Sequence, residues 1–146
     1  MQQAARFRHQ MGIVFLRICV GIMMLVHGLP KFMMLLSGGG ENWANPLGIG
    51  SWLSLALCAL VETLCSLGLI LGFLTRFCAL LLSVNMWIII FLVHGTQGWG
   101  YQELPMLYLV CFVTLICTGA GGFSLERALR KRDYSAKTDA PGAASS

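Results

Sequence analysis

The stretch that decides the fold is residues 48–73, GIGSWLSLALCALVETLCSLGLILGF, in which Glu62 is the one charged side chain. An α-helix rises ~1.5 Å per residue, so about 20 apolar residues cross the ~30 Å hydrocarbon layer of a bilayer. Lipid offers no partner to an unpaired backbone amide, and a spanning segment of this kind must therefore be helical. Residues 48–73 predict a transmembrane helix with an acidic side chain near mid-membrane.

The composition extends this prediction to the whole chain. Of the 146 residues, 57% are hydrophobic and 11% are charged, whereas soluble domains have about 25% charged residues. The mean hydropathy is +0.75. A small domain in water cannot bury so large an apolar surface, because surface grows relative to volume as domains shrink. The composition excludes a soluble globular domain, a disordered chain and a nucleic-acid-binding protein.

Three further apolar stretches are long enough to span a membrane, at about residues 11–36, 77–94 and 104–118. Together with residues 48–73 they predict an all-α fold, an integral membrane four-helix bundle. Pro30 lies inside the first span, where its ring removes a backbone hydrogen bond and predicts a kink. We expect a single transmembrane domain over residues 1–132, followed by a disordered polar tail over residues 133–146.

The distribution of Lys and Arg predicts how the bundle is oriented. Basic residues precede the first span, occupy the turn between the second and third spans at Arg76, and follow the fourth span. The loops 37–47 and 95–102 contain only one charged residue, Glu41. Because basic loops remain on the cytoplasmic side, both termini are predicted to be cytoplasmic.

The two ends of the chain carry additional signals. Arg17 interrupts the first apolar stretch and no A-x-A-like site follows it, so we interpret this stretch as a retained span rather than a signal peptide. Beyond the fourth span, Ser124 is a candidate N-cap of a short interfacial helix. The basic run at residues 127–132 would then lie on the anionic cytoplasmic leaflet.

Small residues are expected to pack the helices together. The six cysteines all lie in predicted spans without a C-x-x-C motif, and we interpret them as packing residues rather than as a disulfide framework or a metal site. Gly21 and Gly28 share the face of the first span that carries Arg17. Membrane helices approach closely at such small residues, so this face is predicted to point into the bundle.

Ionisable side chains within spans usually face the bundle interior and mark function. Six occur here, with Asn85 as a neutral companion: Arg17, His27, Lys31, Glu62, His94 and Glu103. At 100° per residue, Lys31 and His27 lie about 40° and about 80° from Arg17, which gives the first span one polar stripe. Depths counted along the spans place His27, Lys31, His94 and Glu103 near the outer side of the membrane, where we expect them to form a polar pocket. Glu62 would lie beneath this pocket, and Arg17 would lie closer still to the cytoplasmic side.

A purely structural interpretation competes with this pocket. Glu62 would then pair with Arg17 or Lys31 only to fix the order of the helices, since a buried ion pair can specify one arrangement without stabilising it. Arg17 alone also fits a residue that snorkels to the inner interface. His94 alone fits an outer-interface residue.

Several short motifs follow one another in a fixed order along the chain. They are Leu16-Arg17, HGLPKF at residues 27–32, LGFLTR at 71–76, GYQE at 100–103 and GAGGFSLE at 119–126, with Glu62 and His94 between them. Over about residues 16–129 the chain resembles the DoxX family of small four-helix bacterial membrane proteins. The resemblance implies that fold, a bacterial inner-membrane location and, through the family's namesake, an association with a thiosulfate:quinone oxidoreductase.

The first functional hypothesis is an accessory or small subunit of a quinone-linked redox system. A quinone carbonyl needs hydrogen-bond donors and a proton source, which Glu62, His27 and Lys31 could supply. Arg17, His94 and Glu103 would support them. Electrons would come from a membrane or soluble redox partner protein or from a bound cofactor. In one variant that cofactor is haem b, held by His27 and His94.

Two hypotheses of other classes stay open. The chain could be a non-catalytic membrane scaffold that binds partner proteins, which its short loops and basic C-terminal region would suit. It could also form a small-solute or proton pathway through a homo-oligomer, with Glu62 as the relay.

Overall fold

The computed structural model describes residues 2–122 and 124. Within these residues the secondary structure is helical: α1 Gln2–Leu36, α2 Ser51–Leu71, α3 Thr75–Ile88 and α4 Trp99–Thr118, with α3 continued by a π-helix over Ile89–Val93. All four are long and apolar enough to cross a membrane. The prediction of an all-α fold with four membrane-spanning helices is confirmed. The predictions for the interfacial helix after Ser124 and for the tail concern residues outside the described ranges.

Two helices are longer than the apolar stretches that predicted them. α1 begins at Gln2 rather than near residue 11, and α4 begins at Trp99 rather than near residue 104. Hydropathy detects the part of a helix that lies in hydrocarbon, whereas backbone hydrogen bonding continues into the polar interface. α1 also continues through Pro30 to Leu36.

Helices α1 and α2 are antiparallel and pack through glycine. A Cβ atom built on Gly21 would lie 3.3 Å from the carbonyl oxygen of Ser66, and one on Gly28 would lie 2.9 Å from the Cβ of Glu62. Close backbone approach at small residues is a common mode of helix association in membranes. The expectation that this face points into the bundle agrees with these contacts.

The apolar core lies where all four helices meet. Met24 of α1 packs there with fully buried side chains from the other three helices. These are Leu69 of α2, Ala79 and Leu82 of α3, and Phe112 and Leu115 of α4. Bulky side chains on the opposite faces stay exposed, including Phe15, Val26 and Leu64. An apolar outer surface of this kind is expected of a bundle surrounded by lipid.

The bundle has two distinct ends. One, which we call the terminal end, contains the start of α1, the turn at residues 72–74 and residues 119–122. There Arg17 Nη1 donates to the carbonyl oxygen of Ala120 at 2.5 Å. The other, which we call the loop end, contains residues 37–50 and 94–98.

Candidate functional site

The site is built on an ion pair between α1 and α2. Lys31 Nζ lies 2.5 Å from Glu62 Oε1 and 2.7 Å from Oε2. The Glu62 side chain is fully buried and that of Lys31 is 21% exposed. Lys31 stands one helical turn beyond Gly28, so the glycine that lets α1 approach α2 also directs Lys31 onto the carboxylate.

Two further groups complete the surroundings of the carboxylate. Asn85 Nδ2 of α3 donates to Glu62 Oε1 at 3.0 Å, and the thiol of Cys58 lies 3.2 Å from the same oxygen. Cys58 Sγ is also 3.5 Å from Lys31 Nζ. The backbone oxygen of Glu62 accepts a hydrogen bond from Ser66 Oγ. A buried charge is tolerated when it is paired and hydrogen-bonded in this way.

A cavity of about 510 Å³ opens beside this cluster at the loop end. Lys31, Asn85 and His94 are polar members of its wall, while much of the remainder is aliphatic: Leu57, Val61, Leu81, Val84, Ile88, Ile89 and Val93. A concave apolar site with a few convergent polar groups is the usual form of a small-molecule site.

The loop at residues 37–50 closes one side of the cavity. The ring of Trp43 has its centroid 6.0 Å from Lys31 Nζ, at the outer limit of a cation–π contact. Asn45 Oδ1 accepts hydrogen bonds from Gly50 N at 3.1 Å and Ser54 Oγ at 3.2 Å. The loop is thereby attached to the first turn of α2.

His94 terminates the π-helix and lies in the cavity wall. Its backbone N–H donates to the carbonyl oxygen of Ile89 at 2.9 Å, and its Nδ1 lies 2.7 Å from Gln97 Oε1. The ring stacks on Tyr101 with a centroid separation of 5.9 Å. Single-turn π segments are frequent at functional sites, because they redirect a side chain without ending the helix.

The structure places His27, Glu103 and Arg17 away from the cavity. His27 is exposed, and its ring lies edge to face with that of Tyr108 on α4, with the two ring centroids 5.9 Å apart. Since Gly28 faces Glu62, the neighbouring His27 is turned about 100° around α1. Glu103 is exposed, and Arg17 lies at the terminal end against Ala120. The polar stripe of α1 is therefore narrower than the sequence indicated.

The same geometry does not fit a haem held between His27 and His94. His94 lines the loop-end cavity, whereas His27 is not among its lining residues and packs against Tyr108. Two axial ligands must face the same iron from opposite sides. No step through haem is derived for this chain.

Sequence reasoning missed two of the residues that shape the site. Cys58 was interpreted as a packing residue, although its position four residues before Glu62 on α2 places both on one face. Trp43 lies in the loop at residues 37–50, and no signal in the sequence indicates that this loop folds back over Lys31.

One of the comparisons with known proteins names a family. A sequence model of the DoxX family matches residues 12–95. The chain is 31% identical over 131 residues to an uncharacterized protein of Haemophilus influenzae, covering 82% of this chain and 92% of that protein. A second uncharacterized protein of the same organism is 38% identical over 68 residues, covering 43% of this chain and 44% of that protein.

No solved structure matches the chain. The matched residues 12–95 contain both partners of the ion pair, Lys31 and Glu62, and extend through His94. The family and the four apolar helices together make this a multi-pass membrane protein. The resemblance read from the motifs is confirmed, and the chain belongs to the DoxX family.

Proposed function

We propose that this protein is an accessory or small subunit of a quinone-linked redox system in a bacterial inner membrane, with both termini in the cytoplasm. The loop-end cavity would hold the quinone head group. The observation that carries the proposal is that Lys31 and Asn85, both hydrogen-bonded to the buried Glu62, lie in the wall of a largely aliphatic cavity of about 510 Å³.

The chemistry of the cavity wall matches a quinone. The ring and the first part of its tail are apolar and would lie against Leu57, Val84 and Ile88. The two carbonyl oxygens need donors, which the Lys31 ammonium and the Asn85 amide can supply. His94 lies in the same wall and offers a ring nitrogen to the second carbonyl.

Reduction of a quinone to a hydroquinone takes up two electrons and two protons. In the proposal, Lys31 delivers protons to the carbonyl oxygens from the cavity wall, and the buried Glu62, which Lys31 contacts directly, holds the second proton for this transfer. The electrons come from a membrane or soluble redox partner protein or from its cofactor. His27 has no part in this site, because it packs on the α4 side of α1.

The test is a binding measurement with a short-chain ubiquinone in nanodiscs. Quinones quench indole fluorescence, and Trp43 lies in the cavity wall. We expect saturable quenching that is lost in Trp43→Phe, and an affinity about tenfold lower in Lys31→Met, since a charged hydrogen bond is removed. Glu103→Gln is the matched control, because Glu103 is exposed away from the cavity.

The result against the proposal is quenching of equal affinity in the wild type, Lys31→Met and Asn85→Leu. In that case the non-catalytic scaffold becomes the better function, and crosslinking in membranes would identify its partner protein. A proton pathway through a single copy has less support. The Lys31 cluster and Arg17 lie toward opposite ends, and apolar side chains such as Val20, Met24 and Leu82 pack between the described helices.

A further inference from the structure

A second and larger cavity, of about 730 Å³, lies at the terminal end. Its wall contains residues from the start of α1, the start of α3 and the segment after α4, including His9, Thr75, Arg76 and Gly119. It shares no lining residue with the loop-end cavity. The quinone proposal does not use it.

In the part of this cavity wall that the structure describes, the charged side chain is a basic one, Arg76. Arg76 is exposed, and within residues 2–122 and 124 its guanidinium makes no hydrogen bond or ion pair. Among the lining residues that the structure describes none is acidic, and the imidazole of His9 lies in the same wall. An unpaired guanidinium in a concave surface attracts an anion, and its planar fork of donors matches phosphate.

The start of α3 contributes to the same wall. The residue before it, Leu74, provides no side-chain cap, and the first backbone N–H groups of a helix have no acceptor within the helix. The helix dipole adds partial positive charge at this point. Phosphate groups commonly bind at helix N-termini for these two reasons.

Thr75 supplies the independent observation. Its side chain is 1% exposed and lies in the cavity wall. The hydroxyl oxygen has no hydrogen-bond partner in the part of the chain that the structure describes. A buried hydroxyl without a partner is destabilising unless something binds it, and a phosphate oxygen next to Arg76 would accept a hydrogen bond from it.

Gly119 and the apolar side chains of the wall indicate which class of phosphate compound the cavity accepts. A Cβ built on Gly119 would lie 3.2 Å from Arg76 Nε, so this glycine leaves the room in which the guanidinium lies. The lining also includes Ile13, Leu74 and Phe77, of which Leu74 and Phe77 are exposed apolar side chains. A polar pocket with apolar side chains in its wall, at the end of a membrane bundle, suits a phosphate that carries acyl chains.

We propose that the terminal-end cavity binds the phosphate of an anionic phospholipid head group. Arg76 pairs with the phosphate, the hydroxyl of Thr75 and the N–H groups at the start of α3 donate to it, and the acyl chains run along Leu74 and Phe77. Basic pockets between transmembrane helices recognise lipid head groups by this chemistry.

The experiment uses the full chain, delipidated and titrated with phosphatidylglycerol or phosphatidylcholine under native mass spectrometry. We expect phosphatidylglycerol to bind about tenfold tighter than phosphatidylcholine, and Arg76→Gln to remove that preference. Thr75→Val, which keeps the shape and loses the hydroxyl, should weaken phosphatidylglycerol binding about threefold to tenfold. Arg76→Lys should keep part of the preference.

Arg8→Gln is the matched control. Arg8 is an exposed basic residue of the same end and does not line the cavity, so its loss should leave the preference intact. Helical circular dichroism and gel-filtration volume establish that each variant is folded. If Arg76→Gln and Thr75→Val bind phosphatidylglycerol as the wild type does, or Arg8→Gln weakens it equally, the proposal is overturned.

A final arm separates the two sources of phosphate. Inorganic phosphate at millimolar concentration is added to the lipid-free protein, and its Arg76-dependent binding is measured in the same way. No binding of inorganic phosphate supports the lipid as the ligand. Binding as tight as that of phosphatidylglycerol, with no preference between the two lipids, contradicts the lipid head group and assigns the site to the free anion.

Discussion

The two ends of the bundle treat charge in opposite ways. At the loop end, a fully buried acid and a partly buried base pair at 2.5 Å, beside a largely aliphatic cavity of about 510 Å³. At the terminal end, the cavity of about 730 Å³ holds Arg76 and no acidic side chain in its described wall. The first arrangement suits a neutral molecule with polar groups on an apolar body, and the second suits an anion.

The largest expected effect comes from breaking the neutral pair. Glu62→Ala leaves the Lys31 ammonium without its counter-charge, and removing one partner of a buried pair costs about 3–5 kcal/mol. The measurement is the free energy of unfolding, followed by circular dichroism in mixed micelles with increasing sodium dodecyl sulfate. Glu103→Ala removes the same charge from an exposed position, and it should change the free energy of unfolding by less than about 0.5 kcal/mol.

An equally small loss for Glu62→Ala would mean that the pair does not hold α1 and α2 together. Lys31 and Glu62 would then each be solvated on their own, as the exposed Arg76 is.

The second effect concerns the contact that brings the pair together. In Gly28→Ala the new Cβ would lie 2.9 Å from Glu62 Cβ and 3.1 Å from Thr63 N. Such overpacking typically costs about 1–3 kcal/mol, and we expect the α1–α2 contact to loosen. Gly12→Ala is the matched variant, because a Cβ there meets nothing within 4 Å.

Alanine favours the helix over glycine by up to about 1 kcal/mol. Gly12→Ala should therefore leave the free energy of unfolding unchanged or raise it slightly. If Gly28→Ala lowered the free energy of unfolding no more than Gly12→Ala does, close packing at Gly28 would not be what holds α1 against α2.

The fold was largely predictable because membrane spans leave a strong compositional signal. The run at residues 48–73 and its three companions gave the number and type of helices. The ends of α1 and α4 were predicted too far inward, because Gln2 and Trp99 begin their helices outside the apolar runs. A helix can continue outside the hydrocarbon layer, where its residues need not be apolar.

The site was predictable only in part. Lys31 and Glu62 could be identified because ionisable residues in lipid are rare and functional. Periodicity, however, groups residues within an arc of a helix and does not say where the next helix packs. Helix α2 packs against α1 at Gly28, and His27 points to one side of this contact. The position of Trp43 depends on a loop fold without periodicity.

The third prediction separates the two ends by salt. Raising sodium chloride from about 0.1 M to about 1 M shortens the screening length from about 10 Å to about 3 Å. Phosphatidylglycerol binding at the terminal end should weaken several-fold, because Arg76 is exposed. Quinone binding at the loop end should change by less than about twofold, since Glu62 is fully buried and Lys31 is paired with it.

The outcome against this distinction is equal sensitivity at both ends. Salt-dependent quinone binding would indicate that Lys31 acts as a free cation toward the ligand instead of as part of a neutral cluster.

The smallest expected effect concerns Cys58. Its thiol lies 3.2 Å from Glu62 Oε1 and 3.5 Å from Lys31 Nζ, but a thiol is a weak donor and acceptor. Cys58→Ala should reduce stability by less than about 1 kcal/mol and quinone affinity by less than about threefold. Cys117→Ala, at an exposed cysteine, is the control, and a loss of binding as large as that of Lys31→Met would give the thiol a principal role.

The central claim is that Lys31 and Glu62 act as one unit within the membrane. A double-mutant cycle tests it most directly, with unfolding free energies for the wild type, Lys31→Met, Glu62→Leu and the double variant. We predict a coupling energy of about 1–3 kcal/mol, with the double variant more stable than Glu62→Leu alone. Losses that simply add, to within about 0.5 kcal/mol, would contradict the account.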